Sequence, residues 1–147
     1  MDKRREMLQH LRKTLEDCGF DLSVSMETTS LCFDIMARKE DTLVIIKTLP
    51  NVDVQSIASA EELKSLGFFL KGIPLVIGEK TTKSRIETGV LYLRHGLTIM
   101  NFETLTEFLK DGVPPVAFSG PGGFYVEVDG DKLRSLREIN GISYFLR

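Results

Sequence analysis

Leu31-Cys32-Phe33-Asp34-Ile35-Met36-Ala37-Arg38 and, after the polar break Lys39-Glu40-Asp41, Thr42-Leu43-Val44-Ile45-Ile46-Lys47-Thr48-Leu49 are the stretches that decide the fold. Each is short, apolar and bounded by polar residues, and the break between them has hairpin length, so they read as paired strands. A third run at about 21–27, set off by Thr28-Thr29-Ser30, completes an antiparallel meander. Lys47 is the unusual residue, because a lysine seldom sits inside an otherwise apolar strand. Residues two apart on a strand point to the same face, so Ile45 and Lys47 share a face that Asp34 on the second strand can join.

On the N-terminal side, residues 3–18 place Met7, Leu8, Leu11, Leu15 and Cys18 on one helical stripe, and Gly19 is a natural stop. On the C-terminal side a helix is expected over 54–71, with Ala60, Leu63, Leu66, Gly67 and Leu70 on one face and Gly72 and Pro74 closing it. Leu75-Val76-Ile77 then reads as a buried strand, joined to the third strand by a parallel crossover. Residues 90–93 and 97–100 suggest two short strands around His95-Gly96, and Asn101 can cap a helix carrying Phe102, Leu105, Phe108 and Leu109. The Gly- and Pro-rich stretch 112–123 reads as loop, and Phe124-Tyr125-Val126-Glu127-Val128 alternates like a strand.

Composition bounds the function. A chain of 147 residues with 42% hydrophobic and 27% charged residues is expected to bury a core. A formal net charge of −2 argues against a surface that grips nucleic acid everywhere. No apolar run approaches membrane-spanning length and no signal peptide is legible, so a cytoplasmic protein with no membrane partner is expected. Cys18, Cys32, His10 and His95 make no zinc pattern. Ser119-Gly120-Pro121-Gly122-Gly123 is neither a nucleophile elbow nor a phosphate loop, since no Gly-Lys-Ser/Thr follows at a helix. Glu61, Glu62, Lys80, Lys83 and Arg85 read as solvated surface.

The order helix, three-stranded meander, helix, strand resembles the αβββαβ core of the restriction-endonuclease-like superfamily: an α/β fold with a mixed sheet and flanking helices. Active members follow a PD-(D/E)xK pattern, in which two carboxylates hold a divalent cation and a lysine assists. That resemblance points to Asp34 and Lys47 as catalytic candidates and Asp34 as a metal ligand, with Mg²⁺ as the cofactor under a hydrolytic reading and none otherwise. Ile45 stands at the second carboxylate position and supplies no oxygen; Glu16 on the first helix, or Asp41, would have to replace it. The structural alternative pairs Asp34 with Lys47 or a backbone amide, Lys47 running its alkyl stem along the sheet to solvent.

Residues 32–38 with 43–47, Pro74-Leu75-Val76-Ile77-Gly78-Glu79-Lys80, and Pro121 to Gly130 with its Gly-Gly-Phe-Tyr-Val run resemble the N-terminal domain of archaeal helix-turn-helix transcriptional regulators. The resemblance implies a nuclease-like domain over 1–112, a connection with a short strand over 113–130, and over 131–147 the first helix of a repressor-type helix-turn-helix. The recognition helix that enters the major groove is not expected before Arg147. It further implies a regulatory or self-association domain that acts by pairing subunits as a homodimer or by binding a small-molecule effector, with DNA as partner through that incomplete motif; Ile45 at the acid position adds the expectation that the domain is catalytically inactive. A divergent metal-dependent nuclease is the alternative.

Overall fold

Met7, Leu11 and Leu15 are buried along one stripe of the first helix, α1 (Lys3–Asp17), which lies on the sheet as its spacing predicts. The chain turns at Gly19, whose φ of 91° is open to glycine. The computed structural model describes residues 3–23, 32–111, 117–119 and 125–127. Within them follow β1 (Asp21–Leu22), β2 (Ile35–Lys39), β3 (Thr42–Asn51), a 3-10 turn (Val52–Val54), α2 (Ile57–Leu70), β4 (Ile73–Lys80), β5 (Val90–Arg94), β6 (Leu97–Met100) and α3 (Phe102–Thr106). A π-helical turn (Glu107–Asp111) prolongs α3. Residues 24–31, where the first expected strand was to end, and 131–147, the expected helix-turn-helix segment, fall outside the described residues.

The αβββαβ order is present. One mixed sheet has the strand order β1-β2-β3-β4-β6-β5 and continues through β7 (Ala117–Ser119) and β8 (Tyr125–Glu127). The meander is antiparallel, whereas β3 and β6 both run parallel to β4. β7 lies inside the stretch expected to be loop. Three residues are too short for a periodic signal, and the strand exists because its backbone pairs in parallel with β5.

Alternation along β3 divides the core. Val44 and Ile46 face α1 and α3 with Leu11, Leu15, Leu75, Ile77 and Leu105. Leu43 and Ile45 face α2 with Ala60, Leu63, Val76 and Ile99. Gly78 on β4 lets the 3-10 turn settle on the sheet, because a Cβ there would overlap the Val52 methyl. The expected cap at Asn101 is observed: its Oδ1 accepts from the Thr104 amide at 2.8 Å, and its Nδ2 donates to the Ile86 carbonyl at 3.0 Å. α2 is capped at its start by Ser56 and at its end by Lys71, in the left-handed conformation, where the sequence pointed to Gly72. No helix among the described residues is long and apolar enough to cross a membrane.

Candidate functional site

Asp34 is the convergence point. It lies just before β2 rather than on the strand, its amide donating to the Ile46 carbonyl at 2.7 Å, and Ile35 pairs with Ile46, which leaves Asp34 beside Lys47. Its carboxylate is fully buried and takes donors from three residues. Oδ2 accepts from the Thr48 amide at 2.7 Å and the Thr48 hydroxyl at 3.0 Å. Oδ1 forms a close ion pair with the Arg4 guanidinium, and the Lys47 ammonium lies 3.6 Å from it. An ionised carboxylate away from water needs such neutralisation and hydrogen bonding together.

The sequence reading brought Asp34 and Lys47 together correctly, but it sent the lysine head to solvent. The Lys47 side chain is only 8% exposed, and its ammonium is drawn to Asp34. Glu16 does not join them. It is exposed near the far end of α1, and the twelve residues separating it from Arg4 span about 18 Å of helix. Asp41 sits in the β2–β3 turn at the opposite end of the hairpin. Ile45 is wholly buried against α2.

Arg4 and Thr48 were not anticipated. Arg4 belongs to the stripe of Leu8, Leu11 and Leu15 at helical spacing, and that register was the available signal that its side chain turns toward the sheet. Thr48 carried no signal in sequence, since its contact depends on where β2 begins.

An Mg²⁺ ion requires near-octahedral oxygen ligation. Here both oxygens of the central acid are engaged by N–H, O–H and cationic groups, and an alkyl side chain occupies the second acid position. Among the described residues no three His, Cys, Asp or Glu side chains are grouped to hold a metal ion. The donor set does not fit a divalent cation. Cys32 lies close by. Burial, then the charge of Glu62, pushes its thiol above the ordinary range, with Lys47 acting in the opposite sense, which disfavours the thiolate a nucleophile would need.

A cleft of about 550 Å³ opens beyond the same end of the sheet. α1 contributes Lys3, Glu6 and His10, the end of β4 contributes Glu79, the following loop Arg85, and α3 Phe102. Lys3 reaches Glu79 at 3.4 Å, and the His10 ring meets Phe102 edge-on at 6.0 Å. The cleft lies at the carboxyl ends of the parallel strands β4 and β6, where α/β sheets commonly place ligands.

Residues 4–115 match the family model described as the PD-(D/E)XK superfamily domain. The chain is also 39% identical over 137 residues to a protein of Archaeoglobus fulgidus, 39% over 140 residues to one of Methanocella arvoryzae, and 36% over 140 residues to one of Halobacterium salinarum. Each of these is named "Putative HTH-type transcriptional regulatory protein". The alignments cover 93–95% of this chain but only 43–44% of the relatives' length. No solved structure matches. With its helix, meander, crossover helix and parallel strand in that order and the family model matched over most of its length, the chain belongs to the PD-(D/E)XK superfamily.

Proposed function

We propose that this chain is the non-hydrolytic regulatory domain of a cytoplasmic DNA-binding transcriptional regulator. It acts by pairing subunits and by answering a small effector, and the DNA is read by a helix-turn-helix that begins within residues 131–147. The observation that carries this reading is the enclosure of Asp34 by Arg4, Lys47 and Thr48, with Ile45 at the place of a second acid. A carboxylate so committed serves the fold, and the names of the relatives supply the regulatory setting. The cleft beside α1 is the place for an effector, being of metabolite size and lined by both signs of charge.

The test is cleavage of labelled duplex, single-stranded and branched DNA by the purified chain in Mg²⁺ or Mn²⁺. No cleavage is expected. Cleavage that disappears in Asp34→Ala would replace this reading with the second one, a divergent nuclease, which the 3.6 Å approach of Lys47 to Asp34 favours.

A further inference from the structure

α2 buries Ala60, Leu63 and Gly67 against the sheet and leaves an unusual surface on its other side. Phe68 and Phe69 are 83% and 80% exposed, their rings edge to face at 6.1 Å, and Ile57 is 65% exposed. Ile57, Glu61, Lys64 and Phe68 follow one another at steps of four, three and four, the spacing of a seam along one flank of a helix. Large side chains in water at both ends of such a seam signal a partner.

The order of the seam identifies that partner. Ile57 and Phe68 are placed symmetrically about a point between Glu62 and Leu63, and so are Glu61 and Lys64. A two-fold axis through that point lays a second α2 antiparallel on the first. Ile57 then faces Phe68 of the other copy, and Glu61 faces its Lys64. Within one chain Lys64 already holds Glu61 at 2.8 Å, so the paired helices would share a four-charge network flanked by two apolar contacts. Self-complementarity of this kind is what an isologous interface requires.

We infer that α2 is the self-association surface of the protein, with a second copy of this chain as its occupant. The inference rests on the subunit-pairing part of the proposed function and assigns it a location. Its test is analytical ultracentrifugation of the 147-residue chain, with Glu61→Lys and Lys64→Glu measured singly and mixed, and far-UV circular dichroism to verify folding. Wild type is expected to dimerise. Each single variant sets like charges across the axis, weakening association roughly tenfold or more, and the equimolar mixture recovers it because unlike charges then meet. Mixing repairs nothing within either helix, so recovery reports the contact between chains alone. If wild type dimerises and both variants do so equally well, or the mixture stays monomeric, the α2 surface is wrong and subunit pairing stands. Wild type that remains monomeric at hundreds of micromolar overturns both.

Discussion

The carboxyl half of β3 and the end of α2 invert the usual distribution of residues in opposite directions. At β3 a carboxylate, an ammonium and a guanidinium converge at 0%, 8% and 15% side-chain exposure. At α2 two phenylalanines stand about four-fifths exposed. The charges inside are partnered by the chain itself: Asp34 takes donors from α1 and β3 and needs nothing further. Among the described residues the exposed rings meet each other edge to face. The first region therefore stores its energy within the domain, and the second is the surface proposed to meet another copy of the chain.

Breaking the inner region is expected to have the largest effect. Asp34→Ala removes the anion from the buried Lys47 and the half-buried Arg4, and loss of one partner of a buried pair costs about 3–5 kcal/mol; urea denaturation measures it, and a loss under about 1 kcal/mol would mean that water reaches the cluster. Gly78→Ala is next. The added methyl collides with Val52 and must move the 3-10 turn, an overpacking cost of about 1–3 kcal/mol in the same assay. Phe68→Ser sharpens the contrast from the outside. With the protein dilute enough to be monomeric, its unfolding free energy should stay within about 0.5 kcal/mol of wild type, since serine and phenylalanine have similar helix propensities. A large loss there would place Phe68 in the domain's own packing and remove the motive for a partner.

Much of the fold was legible because each strong element carried a complete local signature. The stripe of α1, the run Thr42–Leu49 and the Asn101 cap each express periodicity or capping chemistry within a few residues. β7 was missed because Ala117-Phe118-Ser119 has no pattern of its own and becomes a strand only by pairing with β5. In the site, the PD-(D/E)xK resemblance singled out Asp34 and Lys47 and period-two geometry supported their meeting, but the destination of the lysine was not legible. An ammonium on a strand can run to solvent or to an acid, and only the neighbouring chain decides which.

What the sequence by itself determined is the family, the order of elements, and the isoleucine at position 45 that denies the site a second carboxylate. What only the tertiary structure decided is that Arg4, thirty residues from Asp34, closes upon it, and that Thr48 bonds to the same carboxylate from the neighbouring strand. It also decided that the apolar end of α2 faces outward. The reason is the range of the forces involved: helical stripes, strand runs and caps arise from residues a few positions apart, whereas the neutralisation of a buried charge depends on which distant segments the packed sheet brings within about 4 Å.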